Sequence, residues 1–310
     1  MTPAGRPCVV ALDVGGTSMK GALVDDAHEV LLRQSASTPV ADGTEAVIDQ
    51  IGTTLESLSA QAPALGLAAP IAAGLVVPGI VDENNGVAVT AANIGWHDVP
   101  LAALLADRLG IPVALGHDVR AGGLAESVLG AGAGSTDMLF VALGTGIAAS
   151  CIVDGRPLVA GGYAGEIGHL VVDPDGEPCP CGGRGCLERV ASAAAVARRY
   201  TARTGTEAGG AADVAARVRQ GDAVARAVWD DAIAALVDVL HTTVTLLGPE
   251  IVVVGGGLAE AEDLLLPPLA AQLDKRLTFQ RRPRIVRAAL GDQAGCLGAA
   301  LLAGRLAGAG

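Results

Sequence analysis

Three cysteines and one histidine lie in a single short stretch that is rich in glycine and proline. They are His169, Cys179, Cys181 and Cys186. Three thiolates and one imidazole complete a tetrahedral Zn²⁺ shell with no open position, so this stretch predicts a structural zinc site. The glycines allow tight turns, and residues 173–176 predict a turn that brings the cysteines back beside His169. The apolar run 170–172 predicts the end of a strand.

The alternative for these cysteines is a disulfide, or thiols that are buried separately. Two cysteines one residue apart rarely reach disulfide geometry, and three cysteines leave one over. The other three, Cys8, Cys151 and Cys296, stand singly in apolar runs, which predicts buried and reduced thiols. Since cytosolic chains keep thiols reduced, we expect zinc at the loop and a cytoplasmic protein.

Two carboxylates flank this loop. Glu166 lies three residues before His169, and Glu188 lies two residues after Cys186. If a metal folds the loop, both carboxylates are drawn to one place, beside the ring nitrogen of His169 that the metal leaves unused. Two carboxylates and an oriented imidazole suit a ligand with several hydroxyl groups. The alternative, for either glutamate alone, is a solvated surface residue.

Glycine-rich turns follow predicted strands at three places. At 13–17 (D-V-G-G-T) the backbone N–H groups can approach phosphate oxygens, and Asp13 can hold Mg²⁺ through water. A strand follows this turn, so it is neither a Walker loop nor a dinucleotide fingerprint. The turn at 144–146 repeats the pattern, whereas 255–257 is equally well a plain strand-to-helix turn. The predicted nucleotide-binding residues are Asp13, Gly15, Gly16, Thr17, Lys20, Gly144, Thr145, Gly146, Gly255, Gly256 and Gly257.

Asp118 follows a predicted strand at 112–115, within the sequence H-D-V-R. Functional groups of α/β proteins lie at the C-terminal ends of strands. Phosphoryl transfer to an alcohol needs a carboxylate that accepts the hydroxyl proton, and Asp118 suits that role. The structural alternative is an N-cap for the helix predicted at 119–129.

The surrounding pattern predicts two similar α/β lobes. Strands are expected at 8–14, 20–24 and 30–37 in the first half and at 138–143 and 147–153 in the second. Each half places a Gly-Thr hairpin after its first strand, so we expect two lobes that face each other across a ligand-binding cleft.

Length and charge exclude some classes of protein. The chain has 310 residues, of which 51% are hydrophobic, and a net charge of −12. With no basic patch, this charge argues against a nucleic-acid partner. We expect neither a membrane span nor a signal region, because no segment has the necessary apolar pattern.

The sequence E-I-G-H at 166–169, followed by C-x-C-G-x-x-G-C-x-E at 179–188, resembles the signature of the ROK family of sugar kinases and repressors. The resemblance covers nearly the whole chain. Its other segments are 13–17, 77–82, Asn93 with Trp96, Asp118 with Glu126, 143–147 and 254–257.

This resemblance implies an actin-like ATPase (ribonuclease H-like) α/β fold with two lobes and an inter-lobe cleft. The small lobe would be 1–117, completed by a C-terminal helix at 295–310, and the large lobe 118–294 with the zinc loop. It also implies ATP, Mg²⁺ and structural Zn²⁺, a small-molecule sugar as partner, and a homo-oligomer, either dimer or tetramer. Asp118 would be the base, and His169 both a zinc ligand and a sugar contact. The implied sugar-binding residues are Asn93, His117, Asp118, Glu166, His169 and Glu188.

The chain departs from the family pattern beside the predicted base. The family usually has Asn-Asp-x-Asn, with the first Asn a sugar contact, where this chain has His117, Asp118, Val119 and Arg120. An imidazole hydrogen-bonds with a different reach, and Arg120 adds a bulky cation. Leu187 stands where the family often has an aromatic residue. These changes leave the identity of the sugar open.

We therefore predict an ATP-dependent hexokinase that acts in glycolysis, with glucose phosphorylated at its 6-hydroxyl. Alternatives within the enzyme class are N-acetylmannosamine, N-acetylglucosamine, fructose or mannose as acceptor, or polyphosphate as donor. A sugar-responsive repressor would carry a DNA-binding helix-turn-helix before its first strand. In this sequence about a dozen residues precede Asp13, which we expect to be too few for such a module. A sugar sensor without turnover is the remaining alternative.

Overall fold

The computed structural model describes residues 5–91 and 93–308, and the chain divides into two compact units. Unit 1 spans Met1–Ala125, Val159–Tyr163 and Asp292–Gly310, and unit 2 spans Glu126–Leu158 and Ala164–Gly291. The strands are β1 (Cys8–Val14), β2 (Ser18–Asp25), β3 (Val30–Ser37), β4 (Ala73–Val77), β5 (Ile80–Asp82), β6 (Val87–Ala91), β7 (Trp96–Val99), β8 (Val113–His117), β9 (Met138–Leu143), β10 (Ile147–Val153), β11 (Arg156–Pro157), β12 (Ile251–Gly255) and β13 (Arg284–Arg287). The helices are α1 (Thr44–Gln61), α2 (Leu101–Leu109), α3 (Asp118–Leu129), α4 (Leu187–Ala191), α5 (Ala193–Thr204), α6 (Ala211–Arg219), α7 (Ala223–Leu247), α8 (Glu262–Arg276) and α9 (Ala294–Gly308).

Unit 1 is organised around β1, whose apolar residues are almost completely buried. The five-stranded sheet has the order β3-β2-β1-β4-β8. β1 pairs antiparallel with β2 and parallel with β4, and β4 pairs parallel with β8. Helix α1 packs against β1 and β2, and helix α9 packs against β1, β4 and β8. A buried central strand of this kind needs cover from helices, which explains its continuous apolar sequence.

Unit 2 repeats the same sheet order around β9. The order is β11-β10-β9-β12-β13, in which β9 pairs antiparallel with β10 and parallel with β12. Helix α7 contacts α4, α5, α6 and α8. Its Trp229 is buried and donates its indole N–H to the carbonyl of Leu264 at 3.0 Å. The repetition predicted from the two Gly-Thr hairpins is therefore a repetition of sheet topology.

Two features differ from the sequence-based expectation. The run 170–172 is not a strand end, because Val171 makes only an isolated bridge with Cys186 and is 58% exposed. Apolar residues without a buried face gain little from an extended conformation. The three-stranded sheet β5-β6-β7 was not anticipated, because its strands are short and separated by turns.

The two units meet in sequence inside a helix. The division falls between Ala125 and Glu126, within α3, whereas the sequence places a lobe boundary just before Asp118. Cys8, Cys151 and Cys296 are buried, as predicted. Across residues 5–91 and 93–308, no helix is both long and apolar enough to cross a membrane.

The contact between β4 and α9 predicts a position where glycine is required. A Cβ at Gly74 would lie 1.9 Å from the backbone oxygen of Ala299, and backbone cannot move aside as a side chain can. We expect Gly74→Ala to lower the free energy of unfolding by about 1–3 kcal/mol or more, measured by urea denaturation. The matched control is Gly304→Ala, at an open position of α9, the helix that also contains Ala299. It should stabilise the protein by about 0.5–1 kcal/mol. Equal effects of the two substitutions would contradict this packing.

Candidate functional site

The four predicted zinc ligands converge in unit 2. The ligand atoms of His169, Cys179, Cys181 and Cys186 all lie within 4.8 Å of one another. The Nδ1 atom of His169 is 3.7 Å from the Sγ atom of Cys179, and the Sγ atoms of Cys181 and Cys186 are 3.7 Å apart. A tetrahedral zinc site with Zn–S bonds of about 2.3 Å has ligand atoms about 3.8 Å apart. The donor set and its spacing therefore fit zinc.

Tight turns bring the cysteines together. The N–H of Gly176 donates to the carbonyl of Asp173 at 2.9 Å, which forms the turn predicted at 173–176. Gly185 has φ +67°, and a Cβ there would lie 1.5 Å from the carbonyl oxygen of Asp173. Only glycine suits that position. Burial raises the pKa of the Cys186 thiol to about 12, so a bound cation would be needed to stabilise its thiolate.

The two flanking glutamates lie near the start of β10. The carboxylate of Glu188 accepts the N–H of Ile147 at 2.9 Å. Gly168, next to His169, packs so closely that a Cβ would lie 2.1 Å from the carbonyl oxygen of Ile147. Glu166 directly precedes the short 3₁₀ helix Ile167–His169. Glu166 and Glu188 are both half-buried, and Glu188 is bound to the backbone rather than fully solvated.

The glycine turns of unit 2 lie at the ends of β9 and β12. Gly144 and Gly146 close the β9–β10 hairpin with a 3.0 Å hydrogen bond, and Gly144 accepts the N–H of Ala193 at 2.9 Å. Gly257 begins a 3₁₀ helix after β12 and lines a cavity of about 80 Å³ together with Arg219 and Glu260. A Cβ at Gly257 would have no heavy atom within 4 Å apart from its chain neighbours. The turn at 255–257 thus borders a cavity in unit 2.

The turn at 13–17 of unit 1 is held by hydrogen bonds. The N–H of Gly15 donates to the carbonyl of Ser18 at 2.9 Å, and the hydroxyl of Thr38 donates to the carbonyl of Gly15 at 2.7 Å. The side chain of Asn93 lies over this turn, because a Cβ at Gly16 would be 3.3 Å from its Nδ2 atom. The structure therefore brings Asn93 to the predicted phosphate-binding turn.

Asp13 is the ionisable group at this turn, and it is largely removed from solvent. Burial raises its pKa from 3.8 to about 6, although Lys20 opposes this effect. Lys20 is paired with Asp13 in the β1–β2 ladder, and its ammonium lies 3.3 Å from Asp292. Gly295, in the first turn of α9, allows close packing, because a Cβ there would lie 2.4 Å from the carboxylate. A buried carboxylate with a raised pKa gains most from a bound cation.

The sequence H-D-V-R joins β8 to α3. The Nδ1 atom of His117 accepts the N–H of Arg120 at 3.3 Å, which is the bond that an N-cap side chain makes. Asp118 is the first helical residue, and its Oδ1 atom accepts the N–H of Val119 at 2.6 Å. His117 therefore caps α3, in place of the Asp118 cap considered from the sequence.

Arg120 is buried in unit 1, and its charge is compensated there. It donates from Nε to Glu83 at 2.8 Å and from Nη1 to the carbonyl of Gly162 at 3.1 Å. Glu83 also accepts the backbone N–H of His117 at 3.3 Å. The sequence shows only an isolated Glu83, so its partnership with Arg120 could not be anticipated without the fold.

Glu126 is a further residue whose role the sequence did not reveal. Its carboxylate is 0% exposed and accepts three backbone N–H groups in unit 2, those of Ala131 (2.8 Å), Ala289 (3.1 Å) and Leu290 (2.7 Å). A buried carboxylate with these three bonds holds the segment of Ala131 and the segment of Ala289 and Leu290 together. Glu126 thus ties the end of α3 to the segment that follows β13.

The predicted residues divide between the two units. Unit 1 holds Asp13, Gly15, Gly16, Thr17, Lys20, Asn93, His117 and Asp118. Unit 2 holds Gly144, Thr145, Gly146, Glu166, His169, Cys179, Cys181, Cys186, Glu188, Gly255, Gly256 and Gly257. Within unit 2, the zinc-ligand cluster and the two glutamates are joined by the loop around His169 and by α4.

The sequence profile of the ROK family matches residues 9–305. The chain belongs to the ROK family. A glucokinase from Thermotoga maritima is 33% identical over an alignment of 311 positions, which covers 94% of this chain and 96% of that protein. The crystal structure of a ROK hexokinase from Thermus thermophilus matches with a TM-score of 0.85 and 32% identity, over 98% of this chain and 100% of that one. A ROK family glucokinase from Streptomyces griseus, solved with glucose and AMPPNP, has a TM-score of 0.80 and 28% identity, covering 96% and 99%.

These matches confirm the predicted family and the predicted two-lobed, actin-like α/β fold class. ROK relatives differ in activity. An N-acetylmannosamine kinase from Citrobacter koseri is 33% identical over 95% of this chain and 98% of that protein. A putative xylose repressor from Caldicellulosiruptor is 29% identical over 94% of this chain and 76% of that protein. The glucokinase relatives and the solved ROK hexokinase support a sugar kinase, whereas the choice of sugar is left to the site itself.

The raised pKa of Asp13 predicts that this residue destabilises the fold. Below pH 3.8 the carboxyl is protonated in both the folded and the unfolded chain, so it does not change the free energy of unfolding. As pH rises from 3.8 towards 6, the carboxyl ionises first in the unfolded chain, and the free energy of unfolding falls. We expect Asp13→Asn to raise the free energy of unfolding by up to about 3 kcal/mol above pH 6. The difference from the parent protein should vanish below about pH 4 in urea denaturation across pH. Asp26→Asn, at an exposed carboxylate of the same unit, is the control. A gain independent of pH would disprove the assignment.

Proposed function

We propose that this ROK protein is an ATP-dependent hexokinase that phosphorylates glucose at its 6-hydroxyl, with Asp118 as general base. The observation that carries the proposal is that two neighbouring side chains where β8 joins α3, His117 and Asp118, have different contacts. His117 caps α3, so the neighbouring Asp118 carboxylate, 31% exposed, is not the helix cap. It stands at the C-terminal end of a parallel strand, where α/β proteins bind ligands.

Each unit has candidate hydroxyl-binding groups for the sugar. In unit 2, Glu166 and Glu188 supply carboxylates, and His169 presents Nε2 when its Nδ1 binds metal. Carboxylates accept hydrogen bonds from sugar hydroxyls, and they keep those hydroxyls in a defined orientation. In unit 1, Asn93 is the corresponding candidate. Orientation matters because the reacting hydroxyl must be aligned with the phosphate in a near-attack position.

The nucleotide is held by the glycine turns. In unit 1, the candidate phosphate-binding groups are the backbone N–H groups of 13–17, the Thr17 hydroxyl and Lys20. In unit 2, they are the backbone N–H groups of 144–146 and the Thr145 hydroxyl. The cavity beside Gly257 receives the adenosine. Asp13 would hold Mg²⁺ through water, and the cation would neutralise charge on the transferred phosphoryl group. Asp118 then accepts the proton of the sugar hydroxyl as its oxygen bonds to the γ-phosphorus of ATP, and the bond from that phosphorus to ADP breaks, so that ADP leaves.

We further propose that the zinc-ligand cluster binds one structural Zn²⁺ through His169, Cys179, Cys181 and Cys186. The donor types and their 3.7 Å separations support this assignment. Four protein ligands leave no open position, so zinc would supply folding energy to the loop. In turn the loop orients the imidazole of His169 and the two glutamates.

Other acceptors fit the same machinery, because His117 and Arg120 stand where the family has asparagines. N-acetylmannosamine, N-acetylglucosamine, fructose or mannose are therefore the alternatives to glucose. A sensor that binds sugar without turnover is the alternative from another class. Calorimetric sugar binding without ADP release would favour the sensor. A cytoplasmic homo-oligomer completes the proposal, and the buried, single thiols of Cys8, Cys151 and Cys296 are compatible with a reducing compartment.

The first test is sugar-stimulated ADP release with a panel of these hexoses, ATP, Mg²⁺ and the zinc-loaded protein. We expect turnover, fastest with glucose, and a fall in kcat of about 10²–10⁴-fold in Asp118→Asn, because the amide cannot accept the proton. Asp82→Asn, an exposed acidic residue of the same unit held by Asn85, is the control. Absence of turnover with every sugar, or full activity of Asp118→Asn, would remove the proposal.

Metal analysis tests the zinc assignment. We expect about one Zn²⁺ per chain, and less in Cys181→Ser, because a hydroxyl is a poor substitute for a thiolate. The variant should also unfold at a lower temperature, since the loop loses its metal ligand. Cys151→Ser, which changes a buried thiol of unit 2 outside the cluster, should keep its zinc. Equal zinc content in the two variants would count against the site.

A further inference from the structure

His117 has two ring nitrogens, and each has a different polar neighbour in unit 1. Nδ1 accepts the backbone N–H of Arg120 at 3.3 Å and so caps α3. Nε2 lies 3.4 Å from the Oδ1 atom of Asp118. The ring itself is 6% exposed. Its position is therefore fixed by the protein on both sides.

The cap determines which nitrogen carries the proton. Because Nδ1 accepts a hydrogen bond, the neutral ring must have its proton on Nε2, facing the Asp118 carboxylate. Burial, and then the charge of Arg120, lowers the pKa of His117 to about 3. The imidazole is thus a neutral donor, and it does not place a positive charge beside the base.

The Glu83–Arg120 ion pair holds this arrangement. Arg120 is 2% exposed and Glu83 compensates its charge at 2.8 Å. Glu83 also accepts the N–H of His117, and Arg120 reaches the carbonyl of Gly162. The charged groups facing His117 are Asp118, Arg120 and Glu83. An asparagine at position 117 could make the cap through its side-chain oxygen, but it has no atom at the position of Nε2.

We propose that His117 is a positioning residue for Asp118, which it holds through Nε2–H while it caps α3 through Nδ1. This inference rests on the proposed kinase function, in which Asp118 is the base. It assigns the histidine a role other than direct sugar contact. A correctly positioned base stabilises the transition state more than the bound substrate. Loss of His117 should therefore lower kcat and leave the KM for sugar nearly unchanged.

Two substitutions separate the two nitrogens. His117→Asn keeps an acceptor near Nδ1 but loses the donor at Nε2. It should retain the melting temperature and lose about tenfold in kcat. His117→Gln places an amide donor near Nε2 but loses the cap. It should keep kcat within about threefold and melt about 2–4 °C lower. His97→Ala, at a side chain 80% exposed, is the control.

The kinetic result decides between positioning and sugar contact. The measurements are kcat and KM for ATP and for the panel hexose that the parent protein phosphorylates fastest, together with thermal unfolding. Higher kcat in His117→Gln than in His117→Asn, at similar KM for the sugar, supports the inference. The reverse order of kcat, or a change confined to the KM for sugar, overturns it. If the glutamine variant does not fold, a full kcat in His117→Asn alone still overturns it.

A second readout does not depend on catalysis. Imidazole ¹⁵N chemical shifts, assigned by the signal missing from His117→Asn, should show a neutral Nε2–H ring between about pH 5 and 8. A charged ring or an Nδ1–H ring overturns the inference. Absence of turnover in the parent protein would instead overturn the proposed function, and the chemical shifts would still decide whether His117 directs its proton at Asp118.

Discussion

The convergence of His169, Cys179, Cys181 and Cys186 is the interaction on which the segment between β11 and α4 depends. Between β11 and α4 the described chain forms only short 3₁₀ turns and isolated bridges, and it exposes Val171 and Leu170. Apolar burial cannot hold such a segment by itself. The four ligand atoms, within 4.8 Å of one another, can do so when they share a metal ion. The orientation of His169 follows directly from that arrangement.

Unit 1 positions its polar groups by buried electrostatics. Arg120 and Glu83 are paired away from solvent, and such a pair contributes less to stability than to keeping one arrangement. Asp13 is the opposite case, because its pKa is raised by burial and its ionised form opposes folding at neutral pH. Buried ionisable groups with a shifted pKa are typical of functional sites, where residues needed for catalysis or binding lower the stability of the fold.

The two units share one sheet order, and each places a glycine turn directly after its central strand. In unit 1 the turn joins β1 to β2, and in unit 2 it joins β9 to β10. A hairpin at the end of a buried strand exposes backbone N–H groups at a rigid position, which suits phosphate binding. The solved ROK kinases match nearly the whole chain, so this repeated topology belongs to the family fold.

The sequence alone determined the elements with strong apolar periodicity and the residues with rare spacing. The strands at 8–14, 138–143 and 147–153, the long helix α7 and the four-ligand cluster follow from local pattern and ligand chemistry. The sheet β5-β6-β7 did not, because its strands are too short for a period to be visible. Only the tertiary structure gave Arg120 its partner Glu83, placed Asn93 over Gly16, and moved the helix cap from Asp118 to His117. Those contacts join residues that are distant in sequence or depend on side-chain direction, and neither is encoded in local spacing.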